Sequence, residues 1–196
     1  AMETDMEFNV SQLMKEAVGA KRTYEFGMPD LLLSEPLEGE ERSIVARDVH
    51  GSVQFTRLRA QIRVVGRAEA QVELQCGRCL EPFVATIEAP LDELFNQTID
   101  VVSGKPVEGP ADPDDDSFAI DQNHILDLTE PVRQALLVAL PMQPLHSENC
   151  KGLCPICGTN LNVTQCDCPT EVLDPRLAGL SQLLAGANLG DEPSQN

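Results

Sequence analysis

Arg57-Leu-Arg-Ala-Gln-Ile-Arg-Val64, continued after Val65 and Gly66 by Arg67-Ala-Glu-Ala-Gln-Val-Glu-Leu74, decides how this chain folds. Leu58, Ala60, Ile62 and Val64 alternate with polar residues, and Ala68, Ala70, Val72 and Leu74 do the same. Beyond Cys76-Gly-Arg-Cys79, the residues Phe83, Ala85, Ile87 and Ala89 repeat the pattern. Successive side chains on a strand point to opposite faces. Period two over consecutive segments therefore predicts an antiparallel meander with one buried face. Gly66 is expected to separate the first two strands, and Cys76 and Cys79 to sit in the connection to the third.

Outward from the meander the pattern changes. Towards the N-terminus, Ser11 is a candidate cap for a short amphipathic helix through Leu13, Met14 and Ala17, ending near Gly19. Residues 27–41, with Pro29, Pro36, Gly39 and several acids, read as a loop. On the other side, residues 103–121 read as an acidic loop containing Asp112, Asp114, Asp115 and Asp116, without the glycine and glutamate of a calcium loop. A helix over 130–140 follows, started by Asp127 or Thr129 with Pro131 in its first turn and stopped by Pro141. Asp174-Pro175 starts a terminal helix with Leu177, Leu180, Leu183 and Leu184 on one face, and residues 186–196 read as a disordered tail. The expected class is α+β: an antiparallel β-sheet or partial barrel flanked by helices, with a small zinc-ribbon-like C-terminal module. The expected divisions are 1–41 (helix and loop), 42–145 (β domain), 146–185 (cysteine-rich module and helix) and 186–196 (tail).

Composition narrows the class of protein. The chain has 196 residues, no Trp, 13 glycines and 14 prolines, which predicts a modest core with much irregular chain. Its net charge of −18 falls mostly after residue 79, where 4 basic residues face 19 acidic ones. Such a half repels phosphate backbones and attracts cationic partners, or keeps a small-cored protein soluble. The first twenty residues lack the apolar segment of a secretory leader. The longest apolar run, Ala135 to Leu140, is far below the length of a membrane span. A cytoplasmic protein with reduced thiols is expected.

Seven cysteines carry the chemistry. Cys150, Cys154, Cys157, Cys166 and Cys168 lie within nineteen residues, and Cys76 and Cys79 form a second Cys-x-x-Cys upstream. In a reducing compartment clustered cysteines favour metal over a disulfide framework, and thiolates spaced in this way suit structural zinc. Three arrangements are open. Cys154, Cys157, Cys166 and Cys168 can close one site while Cys76, Cys79, Cys150 and His146 close another. Alternatively, Cys150 joins Cys154, Cys157 and one of Cys166 or Cys168. In the third, the two Cys-x-x-Cys pairs share one ion, which costs more loop entropy. One or two structural zinc ions are expected, with no catalytic residue. A thioredoxin-like role for Cys76 and Cys79 requires a helix N-terminus after the motif, and Leu80-Glu81-Pro82 followed by alternation points to a hairpin instead.

Taken together, Cys76-Gly-Arg-Cys79-Leu-Glu-Pro-Phe83, Ala139-Leu-Pro141, Cys150-Lys-Gly-Leu-Cys154-Pro-Ile-Cys157-Gly-Thr-Asn-Leu-Asn162, Cys166-Asp-Cys168 and Asp174-Pro-Arg-Leu177 resemble the bacterial and plastid YceD family, also called the domain-of-unknown-function 177 family. The similarity runs over nearly the whole chain. It implies a non-enzymatic role in ribosome assembly, supporting accumulation or processing of large-subunit (23S) ribosomal RNA. Partners would be ribosomal RNA or a large-subunit ribosomal protein, with no small-molecule substrate and no membrane. Arg57, Arg59 and Arg63 read as the polar face of one strand, with Arg67 and Arg78 near the same sheet, as a candidate RNA-binding face. The stretch lacks an aromatic stacking platform, so a solvated arginine face or a basic protein docked on the acidic half competes with it. Two other readings are a zinc-stabilised protein–protein adaptor outside ribosome assembly and a Cys76/Cys79 thiol oxidoreductase.

Overall fold

A computed structural model describes residues 6–35, 43–107 and 118–169. The chain divides into two compact units, Ala1–Cys150 and Lys151–Asn196. The first is mostly β, a curled half-barrel sheet with one α-helix among the described residues. Its strands are β1 (Glu7–Asn9), β2 (Lys21–Ser34), β3 (Ile44–Arg57), β4 (Gln61–Gln75), β5 (Pro82–Gln97), β6 (Phe118–Ile120) and β7 (Ile125–Asp127), followed by helix α1 (Thr129–Ala139). β2 to β5 pair in sequence order as an antiparallel meander. β6 adds in parallel to the end of β5, and β1 pairs with β7 as a separate ribbon.

The alternation buries one face of the meander. Val53, Phe55, Ile62, Val64, Ala68, Ala70, Val72, Ala89, Leu91 and Phe95 are buried, and Val132 and Leu136 of α1 join the same core. Phe8, Tyr24 and Phe55 meet at 4.7–5.4 Å between ring centroids, and Phe95 stacks on Phe118 at 5.3 Å. In a chain with few aromatics, these contacts concentrate apolar area where the long strands curl.

Several expectations are corrected. The N-terminal helix is a single 3-10 turn, Leu13–Lys15, that buries Leu13 and Met14. Ser11 does not cap it: its hydroxyl and N–H both bind the Asn9 carboxamide oxygen, an Asx turn that spends the capping group. Residues 27–34 are strand, not loop. β2 lies at the sheet edge, where Pro29 is tolerated, and its pairing with β3 passes Pro29 and Asp48 without a change of register; Asp48 takes φ 50° at the bulge where β3 shifts against β4 between Arg47 and His50.

The segment Arg57–Val64 is not one strand. It spans the β3–β4 hairpin, with residues 58–60 between the strands and the Leu58 N–H bonded to the Gln61 carbonyl. Gly66, expected to separate two strands, lies inside β4 opposite Val53. A Cβ there would fall 2.2 Å from the Ser52 carbonyl oxygen, so the glycine serves close strand approach rather than a turn. Among the described residues, α1 is the one α-helix beside the sheet, and its N-terminal amide at Thr129 is held by the Asp127 carboxylate. The acidic run 112–116, the helix from Asp174 and the tail lie outside the described residues.

Candidate metal centres

Cys76 closes β4 and Cys79 precedes β5, so the hairpin connection is itself a thiolate turn. The Cys76 N–H binds the Glu81 carbonyl at 2.9 Å and the Leu80 N–H returns to the Cys76 carbonyl at 2.9 Å. In the second unit the same turn recurs. The Cys154 N–H binds the Thr159 carbonyl at 2.8 Å, and the Gly158 N–H binds the Cys154 carbonyl at 2.9 Å. Each turn places one residue in the left-handed region just after its second cysteine, Leu80 at φ 62° and Gly158 at φ 73°. Two sequence-distant Cys-x-x-Cys pairs therefore fold as one backbone motif.

The first unit brings Cys76, Cys79, His146 and Cys150 together, and the second brings Cys154, Cys157, Cys166 and Cys168 together. In each set the ligating atoms all lie within 4.8 Å of one another. This is the geometry of the first of the three arrangements. The Cys76 and Cys150 sulfurs are 3.8 Å apart and the Cys79 sulfur is 3.3 Å from His146 Nδ1. A tetrahedral ion with metal–sulfur bonds of about 2.3 Å places its sulfurs about 3.8 Å apart, whereas a disulfide requires about 2 Å. Both donor sets thus fit a metal ion and could hold one.

The thiols' acidities point the same way. Burial pushes the Cys76 thiol up, yet the N–H groups of Cys79, His146 and Arg78, together with the His146 ring, outweigh it and bring it down to about 5. Cys79 goes up, through burial and the neighbouring Cys76 and Cys150 sulfurs. In the other set the Thr159 hydroxyl and N–H lower Cys157 to about 6, while Cys157 and burial push Cys168 up to about 12. One thiolate forms readily in each set and its neighbours resist a second charge. A divalent cation removes that conflict.

Supporting contacts hold each set. The Gly77 N–H binds the Pro144 carbonyl at 2.8 Å, and the His146 ring lies edge-on to Phe83 of β5 at 6.5 Å. In the second unit Leu153 and Asn160 form a bridge, the Leu161 N–H binds the Gly152 carbonyl, and the Lys151 N–H binds the Asn162 side chain. Sequence reading passed over Thr159 and Asn162 as supports. Their only signal was a polar residue placed just after a cysteine turn.

The five arginines are dispersed. Arg63 and Arg67 share the outer face of β4, each engaged by a carboxylate of β5. Arg63 makes a two-pronged contact with Asp92 at 2.6 and 2.8 Å, and Arg67 meets Glu88 at 2.7 Å. Arg57 ends β3 and Arg59 lies in the hairpin turn, so neither continues the Arg63 strand. Arg78 points its guanidinium at the carbonyls of Glu148 and Cys150. His50 and His124 lie outside both sets.

Fold and centres define a mostly β protein with two four-donor cysteine sites, each built within its own unit. Comparison with known proteins gives the family. The model of a family described as large ribosomal RNA subunit accumulation protein YceD matches residues 64–184, more than half of the chain. A Zea mays protein named large ribosomal RNA subunit accumulation protein YCED homolog 1, chloroplastic, is 30% identical over 153 residues, covering 67% of this chain and 51% of its own. An uncharacterized Mycobacterium tuberculosis protein is 29% identical over 123 residues (63% and 56%), and one from Mycobacterium leprae 27% identical over 124 residues (63% and 54%). The chain spans about half the length of these relatives. No solved structure matches. The chain belongs to the YceD family, which is named for an accumulation factor and not for an enzyme.

Proposed function

We propose that the chain acts without catalysis in ribosome assembly, supporting accumulation of large-subunit ribosomal RNA in the cytoplasm, and that each centre holds a structural zinc ion. The observation that carries the metal reading is the completeness of both donor sets. Four protein ligands fill a tetrahedral shell and leave no position for a substrate or an activated water. A thiol oxidoreductase needs Cys76 and Cys79 as an exposed pair, whereas both are buried beside Cys150 and His146. Among the described residues no helix is long and apolar enough to cross a membrane.

For the direct contact, a basic large-subunit ribosomal protein is favoured over RNA. The exposed guanidinium groups of Arg63 and Arg67 are already matched by Asp92 and Glu88, in a chain of net charge −18. Depletion of the protein should lower large-subunit ribosomal RNA relative to small-subunit RNA, and an unchanged ratio would sink the functional reading. Metal analysis of the purified protein should give two zinc ions per chain. Salt-sensitive capture of a ribosomal protein, undiminished by the double change Arg63→Glu and Arg67→Glu, tests the partner. Capture of RNA that this variant abolishes would transfer the contact to the arginine face.

A further inference from the structure

Cys76 and Cys79 are fixed by the β4–β5 hairpin, but Cys150 arrives from seventy residues further along, beyond α1, with no helix or strand to carry it. A ligand on irregular chain needs other means of holding its position. The segment 147–150 is a tight turn in which the Cys150 N–H binds the Ser147 carbonyl and the Asn149 N–H binds the Ser147 hydroxyl. Two carbonyls of that turn, those of Glu148 and Cys150, converge on a single guanidinium nitrogen. Arg78 Nη1 donates to Cys150 at 3.0 Å and to Glu148 at 3.3 Å. Arg78 lies between Cys76 and Cys79, so this contact ties the two halves of the donor set across more than seventy residues of sequence. The Gly77–Pro144 bond is a second tie from the same turn.

Charge argues for the same role. Three thiolates and a neutral imidazole around a divalent ion leave a net charge of about −1, and Arg78 supplies a fixed positive charge beside it. The second donor set has Thr159 next to Cys157 but no guanidinium contact among the described residues.

We infer that Arg78 is a positioning residue for the first centre: its guanidinium holds the 147–150 turn so that Cys150 presents its sulfur to the metal. The inference rests on the metal reading proposed above. It assigns Arg78 to the centre and not to a nucleic-acid face.

The test uses the full-length, zinc-loaded protein and a chromophoric chelator. Two release phases are expected, and a Cys166→Ser/Cys168→Ser variant identifies the phase belonging to the second centre. Arg78→Met keeps the aliphatic stem and removes the donors. It should speed release from the first centre about tenfold or more, as loss of an outer support does elsewhere, and leave the other phase unchanged. In the cobalt-substituted Cys166→Ser/Cys168→Ser background, Arg78→Met should also weaken the thiolate-to-cobalt absorption by about a third, one sulfur of three. Wild-type release and an unchanged cobalt spectrum in Arg78→Met would overturn the role of Arg78. A wild-type protein that holds no metal would instead defeat the metal reading itself.

Discussion

Leu80 and Gly158 occupy equivalent places in two copies of one turn, at φ 62° and 73°. Left-handed backbone costs an L-residue roughly 1–2 kcal/mol, a cost glycine escapes. Leu80 is half exposed, so little burial compensates. Leu80→Gly should therefore raise thermal stability slightly, and Gly158→Ala should lower it by about 1 kcal/mol. At Gly158 a Cβ meets nothing within 4 Å, so that loss would be backbone strain alone. Calorimetry on both variants checks the pair of signs, and a reversal of either one would show that the two turns are not equivalent. Gly158 was legible as a turn residue from its place after Cys157. The conformation of Leu80 was not, because nothing in a leucine signals a left-handed turn. The bond from Arg78 to the carbonyls of Glu148 and Cys150 was hidden in the sequence for a similar reason. An exposed arginine looks the same in sequence whether it faces solvent, a phosphate or a carbonyl across the fold.

Among the elements, the strands were legible wherever alternation was unbroken. The inward positions of β4 and β5 include those read at Ile62, Val64, Ala68, Ala70, Val72 and Leu74 and at Phe83, Ala85, Ile87 and Ala89. β2 and the first half of β3 escaped because Gly27, Pro29, His50 and Gly51 interrupt the alternation, and edge pairing with a bulge tolerates what a central strand would not. Gly66 was read as a break because glycine often marks one. In the sheet it is needed for the approach to Ser52. Gly66→Ala should cost at least about 2 kcal/mol by forcing β3 and β4 apart, measured by chemical denaturation. α1 was read nearly in full, since Pro131 and the spacing of Val132 and Leu136 are local signals. Its Glu130 sits in the first turn, where the Arg133 guanidinium and the Gln134 amide hold its carboxyl down at about 2. The folded value lies below the ordinary 4.5, so the stabilisation is complete above pH 4.5 and is lost as pH falls towards 2. Because the pair is solvent-exposed, Glu130→Gln should cost only about 0.5 kcal/mol near neutrality. The difference from wild type should shrink at pH 3, and a difference independent of pH would show that the pairing does not act.

At the level of the molecule, the first centre joins a hairpin to a segment some seventy residues away, while the second closes within fifteen. Removing the longer closure frees more chain entropy. A ligand that binds only the folded state at a thousandfold excess over its Kd adds about 4 kcal/mol. Cys150→Ser should accordingly lower the melting temperature of the β unit by several degrees, and Cys166→Ser should leave that transition in place. Circular dichroism melting in the β region checks this, and equal losses would show that the two centres are not independent. The sequence by itself determined the meander, the helix with Pro131 in its first turn and the crowding of thiols, because period-two alternation, a first-turn proline and Cys-x-x-Cys spacing are local properties. Only the tertiary structure decided that Cys150 and His146 lie with Cys76 and Cys79, that Gly66 lies within a strand, and that Arg63, Arg67 and Arg78 already have partners. Those outcomes depend on strand register and on chain returning from far along the sequence, and neither is encoded in the spacing of neighbouring residues.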